Sequence, residues 1–76
     1  MSAKKIHFTD SKGNFLFEIS DGDFLRLDSE NGDTFYALCQ YVSETEVKID
    51  GRDQSIREFA SCMEKNRIQY IPLRCV

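Results

Sequence analysis

Thr34 to Val42, reading Thr-Phe-Tyr-Ala-Leu-Cys-Gln-Tyr-Val, lies in the longest run of the chain without glycine, proline or charge. Read at period two, one face is Phe35, Ala37, Cys39 and Tyr41, and the other is Thr34, Tyr36, Leu38, Gln40 and Val42. Neither face is clearly polar, so the pattern predicts a central strand covered largely on one side and partly on the other. Periodicity alone would also fit a buried helical segment. Length, aromatic and β-branched content, and the flanking Asn31-Gly32 and Ser43-Glu44 favour the strand.

Shorter alternating segments surround it. Lys5 to Thr9 places Ile6 and Phe8 on one face, and Phe15 to Ile19 places Phe15, Phe17 and Ile19 inward. Phe24 to Leu27 turns Leu25 and Leu27 inward, and Glu46 to Ile49 does the same with Val47 and Ile49. Between them lie turn signals: Asp10 to Asn14, then Asp21-Gly22 as a hairpin, Asn31-Gly32, and Asp50-Gly51 leading into a brief return through Arg52 to Gln54. Alternation punctuated this way describes an antiparallel meander.

The period then changes. Ile56, Phe59, Ala60 and Met63 fall at i, i+3, i+4 and i+7, one stripe of a helix. Ser55 and Glu58 match a capping box, Lys65 suits the negative end of the helix dipole, and Asn66 is a candidate left-handed stop. A helix this short is marginal alone and must lean on the sheet through its stripe. Ile68 to Leu73 is a last β-like segment, in which Pro72 requires an edge strand or a tail. The expected fold is α+β: a curved antiparallel β-meander of five or six short strands, open or partly closed into a small barrel, with one α-helix packed on it.

Seventy-six residues make one domain, 1–76, close to the lower size limit for a self-sufficient core. The three cysteines, Cys39, Cys62 and Cys75, are an odd number without a Cys-x-x-Cys pair, which suits a reducing compartment better than a disulfide-stapled secreted fold. Lys4-Lys5 has no apolar stretch behind it, and no segment is long and apolar enough to span a membrane, so a cytoplasmic protein is expected.

Candidate chemistry is sparse. His7 with the three cysteines supplies a zinc inventory by count, but the spacing contains no short ligand pair, and Cys39 and Cys62 read as small core fillers. Nucleophilic catalysis would need Cys39 or a serine beside His7, the only histidine, which the pattern puts on a polar strand face. Asp28 to Asp33 looks like a calcium loop until its glycine is counted at the fifth position rather than the sixth; it is a polar turn. No enzyme, cofactor or metal is expected.

Charge carries more information. The net charge is −3, which weighs against a general nucleic-acid binder. Between Glu18 and Asp53, ten acids face only Arg26, Lys48 and Arg52, leaving that stretch at −7. Many of the acids fall in turns, and alternate turns of a meander gather at one end of the sheet. Carboxylates at hairpin tips serve solvation and keep edges apart. They also offer a negative surface to a basic protein partner, for which Asp21, Asp23, Asp28, Glu30, Asp33, Glu44 and Glu46 are the candidate binding residues. The alternative is a nucleic-acid accessory protein using Arg57, Lys65, Arg67 and Arg74, with Tyr70 as a stacking ring.

Asp21-Gly22-Asp23-Phe24-Leu25-Arg26-Leu27, together with Arg57 to Asn66 (Arg-Glu-Phe-Ala-Ser-Cys-Met-Glu-Lys-Asn), resembles a small domain found in bacterial mobile-element proteins. These are phage and conjugative-element accessory proteins, mostly from gut bacteria. The resemblance covers residues 20–72 and rests on structural motifs. It implies an accessory or host-countering role and brings no catalytic residues. The functional expectation is a non-enzymatic acidic protein-binding module that engages a basic host protein.

Overall fold

The computed structural model describes residues 4–73. Arg74 and Cys75, part of the basic and zinc inventories above, lie outside the described residues. The elements in chain order are β1 (Lys5–Thr9), β2 (Phe15–Ser20), β3 (Phe24–Asp28), β4 (Thr34–Tyr41), β5 (Glu46–Ile49), β6 (Arg52–Ser55), α1 (Ile56–Lys65) and β7 (Gln69–Leu73). The expected α+β fold is present. β1 and β2 form a separate hairpin, and the other strands make an open five-stranded antiparallel sheet in the order β6-β5-β4-β3-β7. The sheet does not close into a barrel.

β4 is the centre because it changes partners along its length. Its first half pairs with β3, from Asp28↔Thr34 to Phe24↔Leu38, and its second half pairs with β5, from Cys39↔Ile49 to Tyr41↔Val47. The inward side of this sheet carries Leu25, Ala37, Cys39, Val47 and Ile49, all buried. The helix and the β1–β2 hairpin cover it, contributing Ile56, Phe59 and Met63 from one and Ile6, Phe8 and Ile19 from the other. Phe59 fills the junction, its ring 5.9 Å from Phe8 and 5.4 Å from Tyr70.

A polar clamp fixes the hairpin to the helix. Arg57 and Glu64 are two turns apart on one helical face. The Ser11 hydroxyl donates to Glu64 at 2.8 Å and the Arg57 guanidinium donates to the Ser11 carbonyl at 3.2 Å. Ser55 caps the helix by accepting from the Glu58 N–H at 3.4 Å, while the return bond of a full capping box is not made.

Five expectations need correction, the first being Cys62, which is exposed on the helix rather than a core filler. Asp21-Gly22 does not close a hairpin, because β2 pairs only with β1 and β3 belongs to the other sheet. It is a corner, with Gly22 at φ 91° and its N–H donating to the Cys39 carbonyl at 2.8 Å. Phe15 points outward at 62% exposure. The register slips between Phe8 and Thr9, so Thr9 faces Phe15 and the extra residue Leu16 rotates Phe15 to the side of His7. Asn66 is not left-handed at φ −94°; the left-handed residue is Arg67 at φ 56°. Arg67 N–H bonds the Glu64 carbonyl and Ile68 N–H the Met63 carbonyl, a Schellman closure one residue later than expected. Finally, the second face of β4 is mostly open, with Thr34, Tyr36 and Gln40 exposed and Leu38 half-buried, and Phe35 on the covered face is 57% exposed.

Pro72 sits on the edge strand β7, as its missing N–H demands. The Cys39 N–H donates to the Asp23 carbonyl, which sets odd residues of β3 toward β4 and even ones toward β7. Pro72 is opposite Leu25, so its nitrogen faces the free edge. That edge is thereby blunted against further strand pairing.

Candidate functional site

The open face of the sheet is the surface whose composition asks for an explanation. Pairing across β4, β3 and β7 builds it in rows: Thr34–Asp28–Gln69, then Tyr36–Arg26–Ile71, then Leu38–Phe24–Leu73. With strands about 4.8 Å apart and alternate residues about 7 Å apart, these rows span about 10 by 14 Å. Tyr36, Phe24 and Ile71 are 59%, 40% and 45% exposed, while the buried residues of the helix and hairpin belong to the core on the other side. The face continues onto β5 and β6 in a polar row, Gln40–Lys48–Asp53.

Arg26 stands in the middle of these three rows, between Tyr36 and Ile71. Its Nε donates to Asp28 Oδ1 at 3.1 Å, and the Thr34 hydroxyl donates to the same oxygen at 2.8 Å. The Thr34 bond, with the Arg26 guanidinium behind it, holds the Asp28 carboxyl below the usual aspartate range. The Arg26 terminal nitrogens have no acceptor among the described residues.

An open depression of about 360 Å³ adjoins the polar row, lined by Asp21, Gln40, Tyr41, Val42, Lys48 and Asp53. A second, of about 250 Å³, lies on the opposite side where the helix begins, among His7, Thr9, Glu44, Ser55 and Arg57.

The seven candidate acids do not share one end of the molecule. Asp21 accepts from the Tyr41 N–H at 2.8 Å, and Asp23 accepts from the Ser20 N–H at 2.8 Å, so both build the corner. Asp28 is on the open face. Glu30 and Asp33 sit in the β3–β4 loop, where Glu30 meets Arg67 at 3.5 Å. Glu44 and Glu46 are at the far end of β4, separated from that loop by a strand of about 23 Å. Alternate turns do share an end, but the acids occupy turns of both kinds, so the charge divides. What it brackets is the open face: Asp28 at one end, Asp21 and Asp53 at the other.

Apolar exposure, rather than charge alone, is what the sequence reading missed. The signal was present, since Leu25 inward makes Phe24 and Arg26 outward by alternation, and β4 had no polar side.

The other candidates are dispersed. Cys39 is fully buried, and burial, reinforced by Asp50 and Asp23, pushes its thiol up to about 12. His7 is an exposed cross-strand partner of Glu18 at 3.2 Å. Arg57 and Lys65 stand at opposite ends of the helix, and Tyr70 lies against Phe59 and Phe17 with its hydroxyl pushed up by burial. No group of three or more metal-ligating side chains occurs among the described residues, and no described helix is long and apolar enough to cross a membrane. Comparison with known protein families, curated proteins and solved structures finds no match.

Proposed function

We propose that this domain is a non-enzymatic protein-binding module that takes a basic partner on the open face of its sheet. The observation that carries the reading is the cluster of Phe24, Tyr36 and Ile71, large apolar side chains left in solvent on one contiguous surface. Apolar patches rimmed by polar groups are where proteins dock, and the carboxylates at both ends of this one select for cations. In a mobile-element accessory protein, such a module blocks a basic, nucleic-acid-binding host protein by occupying its charged surface. Charge speeds and selects the encounter, while the apolar rows supply the lasting contact.

The test is affinity capture from host lysate at low and high salt, with the native chain and with Tyr36→Lys and Asp21→Lys/Asp28→Lys/Asp53→Lys. Capture of basic proteins is expected to be lost with Tyr36→Lys and weakened by the triple reversal and by salt. Capture that ignores Tyr36→Lys overturns the reading.

A further inference from the structure

The geometry points to a more specific occupant: we propose that the partner segment presents a carboxylate to Arg26, flanked by apolar residues, with lysine or arginine at its two ends. This rests on the open face being the docking surface and states what chemistry that face requires.

Any partner that covers Tyr36 and Ile71 also covers Arg26, which lies between them in the same row. Arg26 has spent one donor, Nε, on Asp28; four N–H groups remain. In the free protein water satisfies them, since the side chain is 43% exposed. Docking an apolar surface would strand a guanidinium without acceptors, a penalty that outweighs the apolar gain. A carboxylate matches the planar fork and repays the desolvation, and Asp28 already holds the guanidinium in one orientation. One row away on one side and two rows away on the other, the demand reverses. Asp28 keeps an oxygen free at one end, and Asp21 and Asp53 border the depression at the other, where Lys48 Nζ is 4.0 Å from Asp53. Cations of the partner answer these.

Size argues for a segment rather than a second copy. The three rows together cover about 10 by 14 Å, and only two of them carry apolar side chains, a small part of the roughly 800 Å² per partner that a stable dimer needs. A copy of this chain would also set Asp28 and Asp53 against their own kind. Strand addition at β7 is opposed by Pro72 on the free edge.

The experiment is selection of a phage-displayed random peptide library on the intact chain, followed by titration of the synthetic consensus peptide. An apolar–acidic–apolar core with basic flanks is expected. Arg26→Gln should weaken that peptide about 30-fold or more. Replacing the peptide's acid by its amide should cost as much, and the two losses should not add, because they remove one contact. A thermal melt of Arg26→Gln close to the native one shows that folding is not the cause. Peptides that depend on Tyr36 but lack an acid, or ignore Arg26→Gln, overturn the carboxylate inference and leave the module standing. Recovery of no Tyr36-dependent peptide overturns both. A dimer by sedimentation that Tyr36→Lys dissociates assigns the face to a second copy and also overturns the proposal.

Discussion

Along β4, Ala37 and Cys39 are buried while Tyr36 and Gln40, each one residue away, stand in solvent. The two faces of the sheet are both rich in apolar residues, yet among the described residues only one is covered by the helix and the hairpin. Inside, Leu25, Val47 and Cys39 are fully enclosed beneath a helix and a hairpin; outside, Phe24, Tyr36 and Ile71 surround a single anchored cation. Among the described residues there is one helix and one hairpin outside the main sheet, and both pack into the same core. Apolar content therefore does not predict burial here. What decides it is how much of a face the helix and hairpin cover: Phe35, on the inner side at the start of β4, is still 57% exposed.

The largest expected effect separates the faces by stability. Phe59 is the helix residue that meets Phe8 and Tyr70, so Phe59→Ala should cost about 3–5 kcal/mol and leave the domain largely unfolded. Tyr36→Ala, on the open side, should change stability by no more than about 0.5 kcal/mol. Thermal or urea melts of the pair check this, and equal losses would mean that both faces are structural.

Thiol chemistry draws the same contrast. In a Cys75→Ser background, Cys62 is exposed and should react promptly with a disulfide reagent. Cys39, with no exposure and its thiol pushed up to about 12, should react only on unfolding. Two reactive thiols in the native protein would show that the inner face opens readily.

A smaller effect concerns acid. Asp10 is held below the usual aspartate value of 3.8 by bonds from the Asn14 side chain and backbone, and Asp28 is lowered by Thr34 and Arg26. Near that value the unfolded chain binds protons that the native one does not. The stabilisation is thus complete above the ordinary range and is lost as pH falls through the lowered values. Asp10→Asn and Asp28→Asn should each reduce stability at neutral pH and flatten its decline in acid, as followed by melts from pH 7 downward. The two together report how the acid limb divides between the hairpin loop and the open face.

Most strand positions, the helix and its stripe were legible because each rests on local alternation or periodicity, as with Ile56, Phe59, Ala60 and Met63. Non-local choices were not. Asp21-Gly22 has hairpin chemistry, and only the crossing between two sheets makes it a corner, something no neighbouring residue announces. Phe15 alternates correctly with Phe17 until Leu16 is inserted into the pairing. The acids were found as a stretch, but their division between ends depends on β4 exchanging β3 for β5 halfway along. The open face was written in Phe24, Arg26 and Tyr36, yet it becomes a surface only when β7 returns beside β3 and brings Ile71.

The smallest effect tests the junction where the covered layer hands the chain to the open one. Arg67 ends the helix in the left-handed region at φ 56° and leads directly into β7. A side chain there costs about 1–2 kcal/mol relative to glycine. Glycine gives back about 0.4–1 kcal/mol through the greater freedom of the unfolded chain. The exposed contact of Arg67 with Glu30 at 3.5 Å is worth about 0–1 kcal/mol. At mid-range these leave Arg67→Gly more stable by about 0.3 kcal/mol, a midpoint rise of about 1–2 °C for a domain of this size. Differential scanning calorimetry measures it, with Glu30→Gln as the companion variant to isolate the ion pair. A lower midpoint in Arg67→Gly, with Glu30→Gln unchanged, would mean that the Schellman turn is held by its neighbours so firmly that the backbone term is absent. β7, and the outer rows it completes, would then be fixed by pairing with β3 and by Tyr70 against Phe17 and Phe59.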